Sequence, residues 1–412
     1  METRDPKRRR ATYNSWSHFT TDILIDVASK HVTSAATYAT LRGVCRSWRA
    51  ALPATVPGPH RLPPQFPFLL PFFSRCRADD PAYPAFFSLT TNRTFALRHL
   101  ADAHESVCIG SCYGWLFLLF PDFNLVLRNP VTGDTIRLPP LDGTIGLTSP
   151  DPFMRNLLFE HHFFIRRAIL SSDPSADRDF LVALFVDTAT SRCLTWGSGD
   201  RLWTIRDHPK FIPQEIIFYR DRRCFAIGPN GDCAIFEFAS ATDGGSSSGG
   251  GGSFFTRVRK LPVLGTPFLV KSAGNVLLVM VNFITPGKVG RFTFCGLDFS
   301  TLPDKVTVVP ADIGGRIWFL GQCNSMSVAS THVPGFEGTS VYLTEIYQHT
   351  SEDPRNNYTA NIWQFQLKNV IVGRRRIELE CRVRSIEGEC RVYTPWPTLW
   401  WVPPNLHKKL GE

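Results

Sequence analysis

The sequence predicts a mainly β protein with a small α domain at its N-terminus. Three observations predict it. Residues 16–52 contain no proline and carry apolar residues at helical spacing. From about Phe86 onward, short aromatic and β-branched runs are punctuated by proline and glycine. Those runs return at intervals of roughly 40–70 residues, which suggests degenerate repeats of a four-stranded sheet and hence an irregular β-propeller. A pair of β-sandwiches is the alternative, because the period is uneven.

Composition supports this reading. The 412 residues include 32 Phe and 10 Trp but only 4 Met, with 31 Pro and 30 Gly to make turns. Apolar residues at 43% and charged residues at 20% exclude wholesale disorder. The net charge of +9 is modest for this length and only weakly favours acidic partners. No apolar run reaches the ~18–20 residues that span a bilayer, so no membrane partner is expected. The first ten residues, Met1-Glu-Thr-Arg-Asp-Pro-Lys-Arg-Arg-Arg10, lead into no apolar stretch and do not read as a secretory signal. The eleven cysteines are scattered without a C-x-x-C pair and read as reduced core thiols. The sequons at Asn92 and Asn357 are expected to be unused for the same reason.

Residues 1–15 read as a basic, disordered tail. Three helices are expected in 16–52. Thr20 or Thr21 can cap the first, with Asp22 in its first turn and Ile23, Leu24, Val27 and Ala28 along one side. Ser34 can cap a short middle helix over 35–40. Leu41, Val44, Cys45, Trp48 and Leu52 form one amphipathic stripe, predicting a last helix over 41–52. Residues 53–84 hold nine prolines, which exclude continuous helix, so 53–85 is assigned as a connector leading into the propeller. The propeller is assigned to 86–405 and a short tail to 406–412.

Within the propeller, strands are expected at 111–120, 180–187, 224–227, 275–283 and 340–346. Asn129-Pro-Val-Thr-Gly133 and Gly228-Pro-Asn-Gly231 read as hairpin turns. Arg137-Leu-Pro139 and Lys260-Leu-Pro262 echo one another at the ends of strand-like runs. Residues 242–253, TDGGSSSGGGGS, read as a flexible loop inside the propeller.

The segment Leu41-Arg-Gly-Val-Cys-Arg-Ser-Trp-Arg49 resembles the closing R-x-V-C-R-x-W stretch of an F-box, and Asp22-Ile-Leu-Ile-Asp-Val-Ala resembles its first helix. The family usually has Leu-Pro before that helix, whereas Phe19-Thr20 stand here. The rest of the chain resembles plant F-box proteins with a KIB-type C-terminal β-propeller. The matching segments include Leu62-Pro-Pro-Gln65, Gly110-Ser-Cys-Tyr-Gly-Trp115, Leu127-Arg-Asn-Pro-Val-Thr-Gly133, Ser171-Ser-Asp-Pro174, Phe319-Leu-Gly321 and Trp396-Pro397. This resemblance implies a substrate receptor of an SCF-type ubiquitin ligase. The F-box would bind a Skp-type adaptor, and through it a cullin, while the propeller presents an unidentified target protein. Phe19, Ile23, Leu24, Val27, Leu41, Val44, Cys45 and Trp48 are the candidate adaptor-binding residues, with Trp48 the favoured anchor. A ligase-independent scaffold that sequesters its partner is the alternative.

Other constellations carry weaker chemistry. Arg42, Arg46 and Arg49 could form the basic face of a DNA-reading helix, but no aromatic or amide base-reading set accompanies them, so nucleic acid is disfavoured. Lys7, Arg8, Arg9 and Arg10 form a candidate nuclear-import cluster, consistent with a location in the nucleus, the cytoplasm or both. Arg374, Arg375 and Arg376 precede Glu378 and Glu380 and read as part of an exposed strand pair. Gly110-Ser-Cys-Tyr-Gly114 imitates a nucleophile elbow, yet the strand-like 115–120 follows where a helix is needed. Cys112 is therefore expected to be an inert core thiol. His104, Cys108 and Cys112 have a metal-like spacing without a fourth ligand, and the two cysteines are expected on one strand face. His161 and His162, amid phenylalanines, read as structural or surface residues rather than catalytic ones. No catalytic residue, cofactor or metal is assigned, and the chain is read as a non-enzyme.

Overall fold

The computed structural model describes residues 20–32, 35–52, 68–70, 85–88, 93–96, 100, 103, 106–130, 132–141, 165–187, 190–220, 222–238, 254–285, 288–300, 306–311, 313–321, 325–332, 339–348, 358–368, 378–387 and 399–401. The chain divides into two compact units, Met1–Gln65 and Phe66–Glu412.

The first unit is helical, with α1 at Thr21–His31, α2 at Ala35–Val44 and α3 at Arg46–Ala51. Thr20 stands at the α1 N-cap in extended geometry, but its hydroxyl makes no capping bond. The expected helix over 41–52 is broken at Cys45, whose φ of −158° and ψ of 174° are extended. The break is stabilised locally: the Cys45 sulfur accepts the Trp48 N–H at 3.5 Å and so caps α3. Leu24, Ala28, Val32, Tyr38, Trp48 and Leu52 form the core of the unit, with Leu41, Cys45 and Ala51 packed against it.

The second unit is built of strands in a repeating meander. Four separate sheets have four strands each, and one nine-stranded sheet supplies the fifth and sixth blades. The first contains β1 Phe68–Leu70, β2 Ala85–Ser88 and β3 Arg93–Ala96. The second runs β4 Val107–Cys112, β5 Trp115–Leu119, β6 Leu125–Arg128 and β7 Thr135–Arg137. The third runs β8 Ile165–Leu170, β9 Leu181–Asp187, β10 Ser191–Gly197 and β11 Thr204–Asp207. The fourth runs β12 Glu215–Arg220, β13 Arg223–Ile227, β14 Cys233–Glu237 and β15 Phe255–Val258. The fifth runs β16 Thr266–Ser272, β17 Asn275–Thr285, β18 Lys288–Asp298 and β19 Thr307–Pro310.

The sixth blade departs from the meander. Its strands β20 Arg316–Leu320, β21 Met326–Ala329, β22 Thr339–Gln348, β23 Tyr358–Lys368 and β24 Glu378–Glu387 lie in the order β21-β20-β22-β23-β24. β20 and β22 are parallel, from Ile317↔Ser340 to Leu320↔Leu343. A single parallel bridge, Lys271↔Met326, stitches this blade to the fifth. The last strand, β25 Leu399–Trp401, returns to pair antiparallel with β1, so the two ends of the propeller chain share one sheet.

The core shows why these strands make a propeller rather than a sandwich. On β9, Val182, Leu184 and Val186 pack toward the second blade, while Leu181, Ala183 and Phe185 pack toward the fourth. On β13, Cys224 and Ala226 face the third blade and Phe225 and Ile227 face the fifth. On β17, Leu278 and Met280 face the fourth blade, and Val279 and Val281 face the sixth. A sheet covered on both faces needs unbroken apolar strands, and these sequences supply them. Radial stacking therefore explains the aromatic excess; the sandwich alternative does not hold. Successive inner strands touch in the order β25, β4, β8, β12, β16, β21.

The repeats are visible in small features. Leu138 and Leu261, from the two echoing Leu-Pro segments, are both buried just after the fourth strand of their blades. The first two strands are joined by Tyr113-Gly114 in the second blade and by Ala273-Gly274 in the fifth, each pair with two positive φ values.

Candidate functional site

The helical unit sorts the eight candidate adaptor residues by exposure. Leu24 and Trp48 are core, at 3% and 8% exposed. Leu41 and Cys45 are half-buried against that core. Ile23, Val27 and Val44 project into solvent at 49%, 41% and 52%. Phe19 lies outside the described residues. Ile23 and Val27 are one turn apart on α1 and form a continuous exposed apolar strip. Trp48 thus holds the unit together from inside, and the available apolar surface is carried by Ile23, Val27 and Val44.

Two of the three arginines of the basic face bind carbonyls within this unit. The Arg42 Nε donates to the Leu52 carbonyl at 2.7 Å, and the Arg49 Nε donates to the Arg42 carbonyl at 3.3 Å. These bonds tie the end of α3 back to α2 and satisfy carbonyls at helix ends. A DNA-reading face would need those guanidiniums free for bases and phosphates. Asp26 and Lys30 form an exposed i, i+4 ion pair beside Val27.

Around the propeller axis the inner strands carry polar groups that the sequence did not single out. Arg167 on β8 pairs with Glu215 on β12 at 3.3 Å and also donates to the Gln214 carbonyl. The backbone of Leu269, on β16, hydrogen-bonds the same carboxylate. Burial pushes the Glu215 carboxyl up to about 8, against the pull of Arg167. Lys271, also on β16, is exposed, yet partial burial of its ammonium lowers it, against the attraction of Cys112. The hint in the sequence was the charges set in these apolar strand runs: Arg166 and Arg167 in β8, Glu215 at the head of β12 and Lys271 near the end of β16.

Cys112 ends β4 and is followed by the tight Tyr113-Gly114 turn into β5, so the expected single strand over 111–120 is a hairpin. Tyr113 takes a φ of 51° and its hydroxyl donates to the Ser171 carbonyl at 3.1 Å. The Trp115 indole donates to Asp173 and Ser175 at 3.3 and 3.2 Å. Burial pushes the Cys112 thiol up to about 11, which makes a poor nucleophile at neutral pH. Cys108 and Cys112 do not share a face, contrary to the strand reading. Cys108 opposes Leu118 and Cys112 opposes Trp115, with a bulge at Ile109 between them. Among the described residues no three potential ligands gather, and all cysteines are free thiols.

His104, His161, His162, the sequons at Asn92 and Asn357, Arg374 to Arg376, Lys7 to Arg10 and the loop 242–253 lie outside the described residues. No helix among the described residues is long and apolar enough to cross a membrane.

Six radial blades after a small helical unit can be compared with known proteins. The family model for the KIB1-4 β-propeller matches residues 86–366. The chain belongs to that family. It is 25% identical over 367 residues to a provisionally named F-box protein of Arabidopsis thaliana, At4g17565, covering 87% of this chain and 91% of that protein. It is 26% identical over 212 residues to the Arabidopsis thaliana F-box protein At1g10110, covering 51% of this chain and 46% of that protein. Among solved structures, the WD40 domain of SCAP from fission yeast aligns over 78% of this chain and 65% of its own, at 9% identity and a TM-score of 0.24, too low to bear on the fold. The KIB-type propeller and its N-terminal helices give the chain the organisation of a plant F-box protein.

Proposed function

We propose that the protein is a substrate receptor of an SCF-type ubiquitin ligase. The helical unit docks a Skp-type adaptor, and through it a cullin, by burying Ile23, Val27 and Val44 in a groove between adaptor helices. The propeller holds the target protein, and the ubiquitin-transfer chemistry belongs to other subunits. One observation carries this reading: a helical unit with its own closed core leaves three large apolar side chains in solvent. The likeness to Arabidopsis F-box proteins supports it. Nuclear import through Lys7 to Arg10 is part of the same proposal. Co-purification tests it: a Skp-type adaptor should accompany the wild-type chain and be lost from an Ile23→Asp, Val27→Asp double variant.

A further inference from the structure

We propose that the loops where the fourth and fifth blades meet form a docking surface for a target segment that combines apolar and acidic side chains. This rests on the receptor reading and gives its propeller a location and a ligand chemistry.

The surface is assembled from three loops. Ile212 lies in the segment leading into β12, Gly228-Pro-Asn-Gly231 joins β13 to β14, and Leu264 lies in the segment leading into β16. In an antiparallel meander all three connections fall at the same end of the sheets. They also touch. The Gly228 turn closes with bonds from Gly228 N–H to the Asp232 carbonyl and from Gly231 N–H to the Gly228 carbonyl. A side chain at Gly228 would meet the Ile212 carbonyl at 3.3 Å, and one at Gly231 would collide with the Leu261 carbonyl and lie 3.1 Å from Val263. Two glycines thus let the flanking loops press against one turn.

Two large apolar side chains stand out of this assembly, Ile212 at 37% exposed and Leu264 at 64%. The groups around them are mostly cationic. Lys210 precedes Ile212, and the Arg257 guanidinium donates to the Lys210 carbonyl at 2.8 Å, which brings the end of β15 to the same place. Arg259 and Lys260 follow on the path to Leu264, and both are exposed. Asp232 pairs with Lys260 at 3.5 Å, and Asp207, at the end of β11, pairs with Arg192 at 2.9 Å. Lys210, Arg257, Arg259 and Lys260 outnumber Asp207 and Asp232 around the two apolar anchors; this balance complements a segment with apolar and acidic side chains and opposes a basic one.

The test uses the full chain and a short synthetic peptide alternating leucine and glutamate, with leucine–lysine and serine–glutamate peptides as comparators. Calorimetry should show binding of the leucine–glutamate peptide alone. Leu264→Asp, or Lys210→Glu with Arg259→Glu, should weaken it by roughly tenfold or more, without lowering the thermal midpoint, because these side chains are exposed. Leu202→Asp, at an exposed apolar position on the opposite end of the sheets, should leave binding unchanged. Equal binding of the leucine–lysine peptide would overturn the proposal, as would an equal loss with Leu202→Asp or full binding by the Leu264→Asp variant. No adaptor is present in this assay, so failure of adaptor docking would not alter its outcome.

Discussion

Cys112 at the end of β4 and Lys271 on β16 lie on inner strands of the second and fifth blades, and each shifts the ionisation of the other. Lys271 is exposed, yet desolvation still lowers its ammonium, and burial raises the Cys112 thiol.

The first prediction follows for Cys112. Its thiolate becomes appreciable only as pH nears about 11, because burial outweighs the attraction of Lys271. Native protein at neutral pH should leave Cys112 unmodified by iodoacetamide, and denaturant should expose it. Mass spectrometry reads the site. Fast, selective labelling of the native protein would show an activated thiol.

Trp48 gives a second prediction. Its ring fills the core of a unit with few other large side chains. Trp48→Ala should cost ~3–5 kcal/mol and unfold the helices, whereas Ile23→Ala should change stability by less than about 0.5 kcal/mol. Circular dichroism of the two variants separates a core residue from a surface one. A Trp48→Ala variant with intact helices would contradict the packing described.

Much of this was readable from residue patterns. Strands β9, β13 and β17 were signalled by unbroken apolar runs, since burial on both faces demands them. The turns at Asn129 and Gly228 were signalled by residues that suit turn geometry. Other features left little trace. Tyr113 adopts a positive φ without being Gly, Asn or Asp, and a tertiary hydrogen bond to Ser171 holds it there. Cys45 breaks a helical stripe that contains no proline, through a sulfur cap invisible to periodicity. The β1–β25 pairing joins three-residue strands some three hundred residues apart, and local pattern does not encode so distant a contact. At the candidate docking site the apolar stripe was legible, but which of its residues face inward was set by packing between helices.

Gly231 supports a third prediction. Its φ of +82° disfavours any side chain, and a Cβ would also strike the Leu261 carbonyl. Gly231→Ala should destabilise by more than about 2 kcal/mol, the sum of left-handed strain and displacement of a packed loop. Gly199 is a control, with a φ of +113° but open space around it, so the alanine variant there should cost less. Chemical denaturation compares them. Equal losses would show that the close approach to Leu261 is unimportant.

The fourth prediction concerns pH. Burial raises the Glu215 carboxyl from its ordinary value of 4.5 to about 8, despite Arg167. The folded state then holds a proton that the unfolded state releases. Stability contributed by this group is full below about 4.5 and falls as pH rises toward about 8. Buried His208 acts in the opposite sense, since burial lowers it and protonation at low pH opposes folding. The difference between wild type and Glu215→Gln isolates the carboxyl. The thermal midpoint of the variant should gain on that of wild type as pH increases from about 5 to about 8. A constant difference would remove Glu215 as the titrating group.

The central claim is that Ile23, Val27 and Val44 form the adaptor-docking surface of a substrate receptor. Its most direct test is the dissociation constant of a purified Skp-type adaptor for the full chain and for the Ile23→Asp, Val27→Asp variant, with circular dichroism to verify the helices. The account predicts measurable wild-type binding and a loss of roughly a hundredfold or more in a variant whose helices remain intact, since two buried apolar anchors would each become an unpaired charge at the interface. Undiminished adaptor binding by the folded variant, or no binding by the wild-type chain, would contradict it.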